Sequence, residues 1–323
     1  MIIQTRYSMK KTISVLLAVA MCLFLVACAG EQKTTQTTGK AEQTQVANTA
    51  ETNVQNKGQS AITFYGSTTL APVVSKIATN FTEEFEKWNK VDSSLPEENI
   101  AVFVASAGSG AGVKAVIDNT ADFGMLAREV KDEEKQKIKD YQEYKLGLDA
   151  LTISVNPESP LLQVKDDITK EELKKIFSGE YKTWKEFDAS LPAEDIVLVI
   201  RDLGGGAHEV FQKKVMGETE VAANAIQAPS MGALVQKVIE NKNAIGYASF
   251  GMVRQHQDEL KPLKVEGVEP TAENILSGAY DISRPLVVVG SGELTGSKAK
   301  FMEYLQSAEG TKVIEDMGFI ANK

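Results

Sequence analysis

From Ala61 onward the chain alternates between two hydrophobic rhythms. β-rich runs at Ala61 to Tyr65, Ile100 to Ala105, Leu148 to Val155, Ile196 to Ile200, Ala244 to Ala248 and Leu286 to Val289 read as strands. Between them, apolar residues recur at three- and four-residue spacing, the mark of a helix with one buried face. Val74, Ile77, Ala78, Phe81 and Phe85 make one such face, with Pro72 suited to its first turn. Val113, Val116 and Ile117 mark a second. Thr169 to Phe177 is a third, opened by Thr169 with Glu172 three residues on as a capping box. Further helices are predicted from His208 to Val215, after Ser230-Met231-Gly232 to Ile239, and through Phe301, Tyr304 and Leu305. Lys131 to Lys139 is so highly charged that it reads as a solvated helix or loop with no site implied. Strands alternating with helices predict an α/β fold with mostly parallel sheets.

Three of these strands run into a glycine-rich turn that opens a helix: Gly66-Ser67-Thr68-Thr69, Gly108-Ser109-Gly110-Ala111-Gly112 and Arg201-Asp202-Leu203-Gly204-Gly205-Gly206-Ala207. A helix start presents unpaired N–H groups and the positive end of the peptide dipole, so three that converge make an anion site. Arg201, between strand and turn, is the natural charged clamp, with an interdomain ion pair as its structural alternative. Other chemistries lack parts. Val113 stands where a dinucleotide fingerprint needs its third glycine, there is no Gly-Lys-Ser/Thr phosphate loop or Gly-x-Ser-x-Gly elbow, and His208 and His256 are the only histidines. No enzyme, metal or cofactor is predicted.

The first 60 residues follow another pattern. Arg6, Lys10 and Lys11 precede an apolar run from Ile13 to Ala27, which describes an export leader over 1–27. Leu25-Val26-Ala27-Cys28 resembles a lipobox, which marks Cys28 for lipidation. Residues 28–60 contain almost no large apolar side chain and read as a disordered tether. The formal charge of −9 argues against nucleic acid as a partner, so any anion must be held by local groups.

Taken in order, Gly66-Ser67-Thr68-Thr69-Leu70-Ala71-Pro72, Gly108-Ser109-Gly110-Ala111-Gly112, Ala121-Asp122-Phe123-Gly124-Met125, Arg201 with its loop, Asn243-Ala244-Ile245-Gly246-Tyr247 and Ser283-Arg284-Pro285-Leu286 resemble the phosphate-binding lipoproteins of bacterial phosphate ABC transporters. The resemblance implies a two-domain type II periplasmic-binding-protein fold with its ligand cleft between the domains. It assigns 61–146 and 253–323 to a discontinuous first domain and 147–252 to the second, the chain crossing near residue 147 and returning near 252. It further implies a monomer, extracytoplasmic and held to the membrane through Cys28, that passes phosphate to an ABC permease. Ligand contacts carry over to Ser67, Thr68, Thr69, Ser109, Arg201, Gly205, Gly206 and Ala207. Members of the family usually show Ser or Asp near Ala127 and Arg-x-x-Gly-Ser-Gly-Thr in the third loop, so side-chain contacts are missing at Ala127, Gly205 and Ala207. Those losses keep two alternatives open: another oxyanion or small organic anion, or a sensor or interaction lipoprotein with a degenerate cleft.

Overall fold

The computed structural model describes residues 61–322, so the leader, Cys28 and the tether lie outside the described residues. Its framework is a sheet in two halves that share one long strand. The elements are β1 (Ala61–Gly66), α1 (Ala71–Phe85), β2 (Ala101–Ser106), α2 (Ser109–Ile117), β3 (Phe123–Leu126), β4 (Tyr141–Val155), α3 (Lys170–Phe177), β5 (Val197–Arg201), α4 (Gly206–Phe211), β6 (Ile226–Ala228), α5 (Met231–Ile239), β7 (Ala244–Ser249), β8 (Ser283–Ser291), α6 (Gly296–Leu305) and α7 (Ala308–Asp316). Across the sheet the order is β2-β1-β3-β8-β4-β7-β5-β6.

β1 pairs in parallel with β2 and β3, and β5 in parallel with β6 and β7. These are the strands that feed the glycine turns, as the strand–turn–helix reading requires. The centre is antiparallel instead: β8 against β3 and β4, and β4 against β7. β4 is nearly twice as long as expected, because its first half pairs with β8 and its second with β7.

Each half packs its own core. In the first lobe Val74, Ile77 and Phe81 of α1 meet Phe64, Phe123 and Phe301, with Phe64 and Phe123 stacked at 4.8 Å. In the second lobe Phe177, Phe211 and Tyr247 pack together, and the capping box at Thr169 and Glu172 forms as predicted. Phe85, expected on the buried face of α1, is only partly buried.

The expected return to the first domain near residue 252 is displaced. Leu260, Leu263, Ile275, Tyr280 and Ile282 fill the second core, and Lys261 and Pro262 pair with the far end of β4. The second crossing therefore falls at β8, where Arg284 sits directly opposite Asp149. A helix at Phe250–Gln255, directly after β7, and another at Ala308–Asp316 were not foreseen.

Gly66 and Gly112 act in packing. Gly66 has φ +138°, and a Cβ there would stand 2.3 Å from the carbonyl of Met125; a Cβ on Gly112 would stand 2.6 Å from the carbonyl of Tyr65. Their absent side chains let α2 seat against β1 and β3.

Candidate functional site

The three glycine turns meet at the boundary of the lobes, joined by a fourth segment, the start of α5. Arg201, 2% exposed, ends β5. Its backbone N–H donates to the Tyr247 hydroxyl at 2.9 Å and its Nε to the Ala228 carbonyl at 3.1 Å, which fix the side chain's direction. Nη1 donates to Thr68 Oγ1 of the first lobe at 2.8 Å, and Nη2 to Asp202 Oδ1 at 2.5 Å and the Pro229 carbonyl at 3.3 Å. Thr68 Oγ1 also accepts from the Met231 backbone N–H, the first of α5, at 3.3 Å. One hydroxyl from the first lobe thus ties down two donors of the second.

The second and third loops touch. A Cβ built on Gly206 would lie 2.3 Å from Ser109 Oγ, so only glycine lets the loops approach this closely. Ser109 Oγ accepts from the Ala127 backbone N–H at 3.1 Å. Ser67, expected at the ligand, has its hydroxyl turned to its own loop, accepting from the N–H groups of Thr69 and Leu70 at 3.2 Å each. Thr69 Oγ1 accepts from Arg284 Nη2 at 3.1 Å. Gly205 and Ala207 are both buried in the turn and first residues of α4. The structure therefore brings all eight candidates to one place.

Two features escaped the sequence reading. The first is Arg284, whose Nε and Nη2 donate to Asp149 Oδ2 at 3.0 and 2.8 Å and whose Nη1 donates to the Ala127 carbonyl at 3.2 Å. Asp149 Oδ1 accepts from Ser249 Oγ at 3.0 Å. Burial pulls Arg284 below its ordinary value, with the Asp149 carboxylate opposing it. The only signal in the sequence was the motif Ser283-Arg284-Pro285-Leu286, which carried no role.

The second is the Tyr247–His208 contact at 3.1 Å. The Tyr247 hydroxyl, which accepts from Arg201 N–H, thus links Arg201 to the imidazole, with the donor in the second bond set by the His208 tautomer. Burial lowers the His208 pKa, and Asp202 and Glu209 oppose that shift. Burial likewise raises the Tyr247 hydroxyl far above its usual range, so it stays neutral.

The missing hydroxyl at residue 205 has a local reason. A Cβ there would meet the Asp202 carbonyl at 2.9 Å, Asp202 Oδ1 at 3.1 Å and Arg201 Nη2 at 3.2 Å. The space that a serine would need is taken by Asp202, which turns its carboxylate onto the guanidinium. Leu203 beyond it is 59% exposed, at the tip of the turn. Among the described residues, no group of three or more His, Cys, Asp or Glu could hold a metal ion.

A buried arginine amid strand-to-helix turns, set between two lobes that share a crossing strand, is the arrangement of a binding protein. A family model for a PBP superfamily domain matches residues 34–309. The phosphate-binding protein PstS of Staphylococcus saprophyticus is 32% identical over 277 residues, covering 82% of this chain and 81% of that one. PstS of Staphylococcus epidermidis is 33% identical over 269 residues, covering 80% and 77%. A crystal structure with bound phosphate, from Clostridium perfringens and assigned as a phosphate ABC transporter substrate-binding protein, superposes with a TM-score of 0.70 at 30% identity, covering 81% of this chain and all of that one. An ABC-type phosphate transport receptor from Vibrio cholerae superposes with a TM-score of 0.62 at 27% identity, covering 80% and 99%. The chain belongs to the PstS-type phosphate-binding proteins of the PBP superfamily, with their two-domain α/β type II architecture.

Proposed function

We propose that the protein captures inorganic phosphate between its lobes and delivers it to the permease of an ABC transporter, as an extracytoplasmic protein anchored through lipid on Cys28. The observation that carries the reading is Arg201, buried where four segments from both lobes converge and already bonded to Thr68 across the boundary. Its guanidinium offers the planar donor fork that suits an oxyanion. Ser67, Thr68, Thr69 and Ser109, with the backbone of Gly205, Gly206 and Ala207, are the further contacts this reading assigns. The relatives are phosphate-binding proteins, and the match to them covers about four-fifths of the chain.

Asp202 holds one side of the guanidinium. Phosphate entry requires this carboxylate to share Nη2 or turn outward, which its 38% exposed side chain allows. Ala127 and Ala207 supply no hydroxyl, so backbone donors and Arg201 must carry most of the anion's charge. Those same alanines favour a second reading, a small organic phosphate whose carbon portion needs no polar partner there.

Titration calorimetry of the full chain, stripped of bound ligand, separates the two. Micromolar binding of inorganic phosphate, with sulfate and small phosphate esters much weaker, supports phosphate capture. Silence toward inorganic phosphate from a folded protein, with a signal from an ester, transfers the site to the second reading. Mass spectrometry of the exported protein for a lipid-modified Cys28 tests the anchor.

A further inference from the structure

Beside the Arg201 corner, a second set of charges spans the two lobes. Arg128 follows β3 and is buried. Its Nη1 and Nη2 donate to Glu134 Oε2 and Oε1 at 2.7 Å each, and Nη1 also donates to the Glu129 carbonyl at 2.8 Å. Glu134 is itself fixed by the Lys131 backbone N–H at 3.0 Å. All of these groups belong to the first lobe, so the guanidinium is oriented before the second lobe arrives.

Its Nε donates to Glu209 Oε1 on α4 of the second lobe at 3.2 Å. Lys131 Nζ lies 2.7 Å from the other oxygen, Glu209 Oε2. One carboxylate of the second lobe therefore meets two cations of the first, one on each oxygen. Glu209 stands three residues after Gly206, the residue that abuts Ser109, so a short rigid helix carries both the ligand turn and this carboxylate.

We propose that Arg128 and Lys131 form a preset socket for Glu209, a latch that holds the lobes closed, strengthens anion binding and slows release. Glu209 is a positioning residue that never touches the ligand. When the lobes part, Arg128 keeps Glu134 and Glu209 gains water, so the open form is available at modest cost. Closure gains a charge-assisted pair that no ligand need supply. Apparent affinity scales with the fraction of protein in the closed form, so a latch raises it without a new ligand contact. The latch flanks two positions that lack a polar contact, since Arg128 follows Ala127 and Glu209 lies two residues beyond Ala207. It offsets those losses through closure.

The proposal rests on the phosphate reading only for its probe. Glu209→Gln in the full chain keeps the shape and removes the charge. Inorganic phosphate should bind about tenfold more weakly and leave correspondingly faster. Raising the salt should weaken binding more steeply in the original protein than in Glu209→Gln. Small-angle scattering of the ligand-free variant should show a larger radius of gyration than the original, with the melting temperature held. Lys213→Gln is the control: its pair with Glu129 spans 4.0 Å between exposed side chains and should change nothing. Equal scattering, salt response and release in Glu209→Gln and the original overturn the latch. Should the original fail to bind phosphate, that reading falls, and the scattering comparison decides the latch by itself.

Discussion

Two buried arginines at the lobe boundary, Arg284 and Arg201, solve the same physical problem differently. At the crossing strands, Arg284 and Asp149 are both essentially sealed from water, directly opposite one another, and bonded through two nitrogens to one oxygen. At the ligand end, Arg201 is equally buried, but its carboxylate partner Asp202 reaches solvent and its other partners come from both lobes. A sealed pair cannot exchange partners without leaving a bare charge in a low-dielectric interior. A half-exposed carboxylate can turn away into water and give its place to an anion. The comparison teaches that burial of an arginine says little about its task; the exposure of its counter-ion says more.

Breaking the sealed end should have the largest effect. Asp149→Ala strands the Arg284 charge and should lower stability by about 3–5 kcal/mol, read by denaturant unfolding. A loss below about 1 kcal/mol would mean that water reaches the crossing and the pair is not sealed. Arg201→Ala, which leaves the Ala228 carbonyl without its partner, should lower stability less than Asp149→Ala yet weaken phosphate binding by about a hundredfold, some 3 kcal/mol, in calorimetry. Unaltered affinity would make Arg201 a structural pair after all.

Gly206→Ala tests whether the lobes must approach this closely. The new methyl would collide with Ser109 while the lobes are shut, so affinity should fall by about 1–2 kcal/mol in calorimetry. Affinity equal to that of the original protein would show that binding needs no such approach.

The smallest effect concerns His208. Its pKa is lowered in the folded state, so the unfolded chain takes up the proton first as pH falls. Stability contributed by neutral His208 is therefore present above the unfolded value of about 6.5 and declines as pH drops through it. His208→Gln should flatten that decline in melting temperature between pH 7 and pH 5. An unchanged slope would assign it to the carboxylates.

The elements themselves were legible because each rests on local rules. The face of α1, apart from Phe85, and the capping box of α3 formed where spacing put them. The site was legible as three glycine turns and Arg201, because a strand feeding a helix fixes where a turn must lie. The roles of the individual glycines were not. Gly66 and Gly112 are set by the close seating of α2 on its strands, and Gly206 by the approach of the opposite lobe, which no local pattern records. The charged stretch from Lys131 to Lys139 reads as a solvated face by composition. Its Glu134 instead orients Arg128, and Lys131 meets Glu209, 78 positions along the chain.

Sequence by itself therefore determined the alternation of strands and helices, the glycine turns at strand ends and the family to which they belong, since periodicity and caps act within a few residues. Tertiary structure alone decided the partners: that Asp202 takes the guanidinium face, that residues 253–282 join the second core, and that Arg284 meets Asp149 at the crossing. The physical reason is that a buried charge must find its counter-ion in space, and the chain can bring that partner from any distance along its length.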